Sequence, residues 1–193
     1  ISNKHQKIKS KIRQIAIPTT LSGGEYSIIG GAMDTKIQLK EKYTGDDICP
    51  QVVILDPTIT LHTPDWLWLS TAIRSVDHAV EGLCSNSTNP LIPPMALNSL
   101  QLFGNSLRST YKNRDDIVSR SLSQKAVWMI AKNLGNTPMG ASHGIGYLLG
   151  SIGSVPHGYT SCVMLPAVLK WNESYNKDKQ KWIANALGRP NLS

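Results

Sequence analysis

Cysteine is scarce in this chain and scattered. Cys49, Cys84 and Cys162 stand far apart with no C-x-x-C pair, which excludes a disulfide framework and a zinc knuckle and predicts free thiols in a reducing compartment. Long apolar runs are missing too: none approaches the roughly eighteen residues a membrane helix needs, and the basic N-terminus carries no apolar core of a signal peptide. A cytoplasmic chain without a membrane span is therefore predicted. Phenylalanine occurs once, and basic and aromatic residues do not interleave, so a dedicated nucleic-acid surface is not expected despite a net charge of +7. Much of that surplus sits in Lys4, Lys7, Lys9, Lys11 and Arg13, a stretch with no acid. The body is close to neutral, and it shows neither an internal repeat nor a low-complexity tract.

What is present is an ordinary globular composition, 40% hydrophobic and 17% charged over 193 residues, enough for one large domain or two small ones. Hydrophobic period divides it. Gln14–Thr20 reads as a short buried strand ending at Pro18, which cannot donate to a sheet ladder. Thr35–Glu41 alternates like a half-exposed strand, and Gln51–Asp56 is a continuous apolar run, read as a buried strand. Beyond Asp56-Pro57 the period becomes helical. Thr63-Pro64-Asp65 combines an N-cap, a proline at the first helical position and an acid in the first turn. Helices are predicted over 64–84, 93–111, 115–134, 142–152 and 158–175, with a sixth over 179–187 and strands confined to the first 56 residues. The predicted fold class is α/β followed by all-α, with a boundary near Pro57.

Candidate chemistry gathers on histidines. Of five in the chain, His143 and His157 sit among glycines and His78 lies in an amphipathic segment; three imidazoles from distant segments can share one divalent ion and leave positions open for substrate. Scattered capping or core histidines are the plainer alternative. In the first helix Trp66, Leu69, Ile73, Val76, Val80 and Leu83 form an apolar stripe, while Arg74, Asp77, His78 and Glu81 share another face. That face is either solvated or the wall of a polar pocket. His143 and Tyr147, four residues apart, are expected on one face of the fourth helix, where Gly144, Gly146 and Gly150 permit close packing. The Leu21-Ser-Gly-Gly-Glu-Tyr-Ser27 loop has hydroxyls and glycines that let backbone approach a phosphate or sugar.

Five ordered motifs carry a resemblance: Ile17-Pro-Thr-Thr20, Asp56-Pro with a Thr-Pro helix start, Asp77-His-Ala-Val-Glu81, Ala141-Ser-His-Gly-Ile-Gly146 and Val155-Pro-His-Gly158. In order and spacing over about residues 15–175 the chain resembles the iron-containing alcohol dehydrogenases. Its short Thr-Thr-Leu-Ser-Gly-Gly-Glu loop is closest to their maleylacetate reductase branch.

The resemblance implies a dehydroquinate synthase-like fold, with residues 1–57 the end of a dinucleotide-binding α/β domain and 58–193 an incomplete helical domain for metal and substrate, the chain being truncated at both ends. It implies an NAD(P)-dependent oxidoreductase moving hydride to or from a small carbonyl or unsaturated acid. Thr19, Thr20, Ser22, Gly23 and Gly24 match the cofactor-contacting segment, and His78, His143 and His157 match three of four ligands for Fe or Zn. The fourth ligand, an acid four residues before His78, is here Arg74, which has no lone pair to offer; a second departure is Tyr147 in place of a histidine. Arg74 is therefore expected to supply the positive charge itself and to favour a carboxylate-bearing substrate, with His143 or His157 as proton donor and Tyr147 as hydrogen-bond donor. A homodimer is compatible with this reading. The alternative is a catalytically silent relative that survives as a binding or scaffold protein.

Overall fold

The computed structural model describes residues 6–7, 12–36, 39–131, 137–153 and 155–190. Two small sheets precede six helices among these residues. β2 (Ile15–Ala16) pairs in parallel with β5 (Val52–Val53), and the ladder is completed by Gln51 N–H to Gln14 O at 3.0 Å and Ile54 N–H to Ala16 O at 2.9 Å. β1 (Gln6–Lys7) pairs in parallel with β4 (Leu39–Thr44), which forms an antiparallel hairpin with β3 (Ile29–Asp34).

The strand expected over Thr35–Glu41 straddles the turn of that hairpin, because Asp34 Oδ1 accepts the Lys36 N–H at 2.8 Å and reverses the chain there. β3 escaped notice because Gly30 and Gly31 break its apolar pattern. Burial of the parallel pair is a second correction. Ile15 is 67% exposed, Val52 48% and Ile54 47%, whereas parallel strands are ordinarily covered on both sides.

The helices are α1 (Asp65–Cys84), α2 (Ile92–Lys112), α3 (Ile117–Ala131), α4 (Ala141–Ile152), α5 (His157–Trp171) and α6 (Glu173–Ala186). No strand lies within residues 64–175 among those described, and no described helix is long and apolar enough to cross a membrane. Residues 132–134 of the predicted third helix fall outside the described residues. The break expected after residue 175 comes at Asn172, although the backbone of α6 does leave helical geometry at Asn176.

α1 is the axle of the bundle. Trp68, Ala72, Val76, Ala79, Val80 and Leu83 are buried in the core with Leu100 and Phe103 of α2, Val127 and Ile130 of α3, Leu165 of α5 and Ile183 of α6. The predicted stripe is corrected at Trp66, which is half-exposed while Trp68 takes the core place. Thr63 does not cap α1, because its hydroxyl donates to Thr19 O at 2.7 Å and so ties the strand region to the helix start. Arg120, fully buried, lies over the Trp68 ring at 4.5 Å and donates to Thr60 O at 2.9 Å, fixing α3 to the turn that leads into α1. Small residues set the spacing elsewhere. A Cβ on Gly158 would meet Ser70 Oγ at 2.6 Å and one on Gly146 would meet Thr160 Oγ1 at 3.1 Å, so α5 lies close against both α1 and α4. Gly144 faces open space and plays no such part.

Candidate active site between α1, α4 and α5

At 100° per residue, α1 turns two neighbouring stripes outward from its core face. Ser70, Arg74, Asp77 and Glu81 meet α4 and α5, while Thr71 and Ser75 meet the loop at residues 19–24. The contacts bear this out: Leu21 N–H donates to Thr71 Oγ1 at 3.1 Å and Ser75 Oγ donates to Leu21 O, whereas Arg74 Nη1 donates to Ser161 Oγ of α5 at 3.0 Å. His78 falls between the stripes. The loop predicted to approach a cofactor thus lies against α1, beside the stripe that carries Arg74. Within it Thr20 and Ser22 share a hydroxyl–hydroxyl bond of 3.1 Å, Thr19 and Gly24 are exposed, and Gly23 adopts φ 74°, a conformation glycine tolerates best.

The polar face of α1 is buried against α4 and α5. Arg74, Asp77, His78 and Glu81 are each at most 8% exposed, which overturns the reading of a solvated surface. Asp77 Oδ2 accepts the Ser142 hydroxyl at 2.7 Å, and Glu81 accepts the Ser142 N–H at 2.7 Å and the Gly140 N–H at 2.9 Å. Both acids therefore satisfy donors at the start of α4, where the helix has otherwise unpaired N–H groups. Glu81 Oε2 also lies 2.7 Å from His143 Nδ1, and Asp77 Oδ2 lies 3.3 Å from the same nitrogen. The His143 and His78 rings stack with centroids 4.6 Å apart.

Electrostatics follow from burial. His78 is pushed well below the usual imidazole range by burial, and then by the charges of His143, Arg74 and His157, so it is neutral at pH 7. Burial raises the Asp77 carboxyl, against the opposing pull of His143, Ser161 and Ser142. Burial acts in the same direction on Glu81, but the His143 hydrogen bond and charge and the two N–H donors outweigh it and leave Glu81 below the ordinary range. Arg74 is lowered by burial and supported by Asp77 and Glu81; a guanidinium keeps its charge regardless.

The predicted residues divide accordingly. Arg74, His78 and His143 come together. His157 opens α5 as an exposed residue close enough for its charge to act on His78. Tyr147 is 43% exposed, whereas His143 is buried. Ser142, Ser161 and Gly140 were not predicted. A Cβ at Gly140 would stand 2.7 Å from Glu81 Oε1, and no sequence pattern marks small residues that matter only through a partner sixty positions away.

The sequence profile of the Fe-containing alcohol dehydrogenase family, C-terminal region, matches residues 69–193. The chain belongs to the iron-containing alcohol dehydrogenase family. The dehydrogenase ALT3 of Alternaria alternata is 37% identical over 93% of this chain and 53% of its own length. A maleylacetate reductase of Burkholderia cepacia is 32% identical over 94% of this chain and 51% of its own. The crystal structure of maleylacetate reductase from Rhizobium sp. strain MTP-10005 superposes with a TM-score of 0.84 at 28% identity, covering 92% of this chain and 51% of that one. The chain spans about half the length of these relatives. As a member of the iron-containing alcohol dehydrogenases it carries part of an oxidoreductase fold.

Iron can be tested against the residues present. His78 Nδ1 and His143 Nε2 are buried without hydrogen-bond partners, which suits donors to a cation. Asp77, Glu81 and His143 also bring ligand atoms within 4.8 Å of one another. Asp77 Oδ1 is likewise buried without a partner. Against this, Asp77 Oδ2 and both Glu81 oxygens are engaged by Ser142, Gly140 and His143, and Arg74 sets a permanent positive charge one turn before His78. A tightly held dication does not fit this arrangement.

Proposed function

We propose that the chain forms the helical substrate part, residues 58–193, and the adjoining end of the nucleotide domain, residues 1–57, of an NAD(P)-dependent oxidoreductase acting on a small carboxylate-bearing carbonyl or unsaturated acid. The observation that carries this reading is Arg74, a buried guanidinium on the helix that also presents His78 to His143 and holds Leu21 of the 19–24 loop. Its Nη1 donates to Ser161 Oγ, a guanidinium has further N–H donors for a carboxylate, and the low-dielectric surroundings strengthen that pairing. NAD(P), when bound, would supply or take the hydride, and Thr19, Thr20, Ser22, Gly23 and Gly24 would hold it. His143, whose Nε2 is buried without a partner, would move the proton to or from the neighbouring oxygen or carbon, with His157 and Tyr147 nearer the solvent. The reductases among its relatives support an acid substrate.

The test is NAD(P)H oxidation by the protein with an unsaturated or keto dicarboxylate and with a neutral aldehyde. Arg74→Gln should lower kcat/KM for the acid by about 10- to 100-fold, the worth of a charge-assisted hydrogen bond of roughly 1.5–3 kcal/mol, and change the aldehyde little. Equal losses on both would refute a carboxylate anchor. Cofactor binding without turnover of any acid would favour a silent binding protein instead.

A further inference from the structure

Glu81 does more than cap a helix. Its Oε1 takes the Ser142 N–H, while its Oε2 takes the Gly140 N–H and lies 2.7 Å from His143 Nδ1. Asp77 Oδ2, bound by the Ser142 hydroxyl, stands behind the same nitrogen at 3.3 Å. Both groups reach His143 from α1, one helical turn apart, and the bare hydrogen at Gly140 is what lets the Glu81 carboxylate come so close. On its other side the ring stacks on His78, and its Nε2 is buried with no partner.

We propose that Glu81 is a positioning residue that holds His143 in the tautomer protonated on Nδ1, so that Nε2, buried without a partner, keeps its lone pair as the site's proton acceptor. A carboxylate accepts and cannot donate, so a nitrogen 2.7 Å from an ionised Glu81 must carry the hydrogen. Asp77 has a different duty. Its ties run to Ser142 and to the neighbourhood of Ser161, and it keeps the α4 start seated on α1.

In an oxidation the bare Nε2 would take the substrate hydroxyl proton while the NAD(P)+ of the proposed reaction would accept the hydride from the carbon. In the reverse direction the imidazolium returns that proton. Without the clamp the ring is free to put its hydrogen on Nε2, and the acceptor is lost. This assignment rests on the reading of the cleft as an active site, but its test does not require turnover.

Ring nitrogens of 15N-histidine-labelled protein, at a pH where His143 is neutral, report the tautomer directly, and the His143 signals are identified by their loss in His143→Asn. The expected spectrum has a protonated Nδ1 and a bare Nε2 for His143. Glu81→Ala should shift these signals toward protonation on Nε2, and Asp77→Asn should leave them in place. A native His143 protonated on Nε2, or an even mixture of the two forms, would overturn the proposal without any variant; so would a tautomer that survives Glu81→Ala or flips in Asp77→Asn. Because neither cofactor nor substrate is present, failure here is distinguishable from failure of the proposed reaction.

Discussion

Position 74 decides what kind of charge the cleft contains. An acid there would complete a set of oxygen and nitrogen donors one turn before His78, whereas arginine brings a cation of its own. The neighbours have adjusted to it: Ser161 accepts from it, Asp77 and Glu81 support it, and His78 is held neutral partly by its field. Arg74→Asp should reverse this balance. After exhaustive dialysis against buffer containing Fe²⁺ or Zn²⁺, mass spectrometry should find well under one equivalent of metal in the native protein and an amount approaching one in the variant. Stoichiometric metal in the native protein, unchanged by the substitution, would show that Asp77, through its unpartnered Oδ1, or Glu81 completes the site. The histidines were legible in the sequence because imidazoles among glycines are conspicuous. The carboxylate clamp on His143 was not, since Glu81 looked equally suited to a solvated helix face until α4 was seen to cover it.

Helix ends were legible where local chemistry determines them and obscure where a distant partner intervenes. Pro93 and Pro94 sit in the first turn of α2, as proline's fixed φ and missing N–H allow. Thr63 looked like an N-cap for α1, but a carbonyl forty-four residues away claimed its hydroxyl. The start of α3 shows local control and supplies a test. Asp116 Oδ1 accepts the Ser119 N–H at 3.0 Å, and its Oδ2 accepts the Ser109 hydroxyl of α2 at 2.6 Å. These bonds favour the ionised form and lower its pKa to about 2 from the ordinary 3.8. With the folded value below the unfolded one, the contribution to stability is present above pH 4 and is lost as pH falls toward 2. Asp116→Ala should therefore unfold at lower urea concentration than the native protein at pH 7, and the gap between the two should narrow as pH drops from 4 to 2. A gap independent of pH would mean that the carboxylate charge contributes nothing.

Across the whole molecule, the change of hydrophobic period at Pro57 correctly separated strands from helices, yet it misjudged where the burial lies. The apolar residues of β2 and β5 read as core, because a continuous run such as Val52-Val-Ile-Leu55 normally lies inside a sheet covered on both faces. Among the described residues the buried apolar cluster comes from the helices and Leu21, with Tyr26 packed partly buried against it. Leu21 is also the residue whose N–H and carbonyl bond to Thr71 and Ser75. The segment before Pro57 should then behave as two parts: a loop bound into the helical unit, and a parallel strand pair held by its own few hydrogen bonds. Native-state hydrogen exchange can resolve them residue by residue. The amides of Ala79 and Val80, fully enclosed in α1, should exchange only on global unfolding, and that of Leu21 should follow them. Those of Gln51 and Ile54, bonded to Gln14 and Ala16 across the strand pair, should exchange by local opening at a much smaller free energy. If Ile54 proves as protected as Val80, the strands and the helices open as one cooperative unit and the boundary proposed at Pro57 is wrong. If Leu21 exchanges as fast as Ile54, its ties to α1 are too weak to hold the 19–24 loop beside the cleft, and the placement of a cofactor there fails with them.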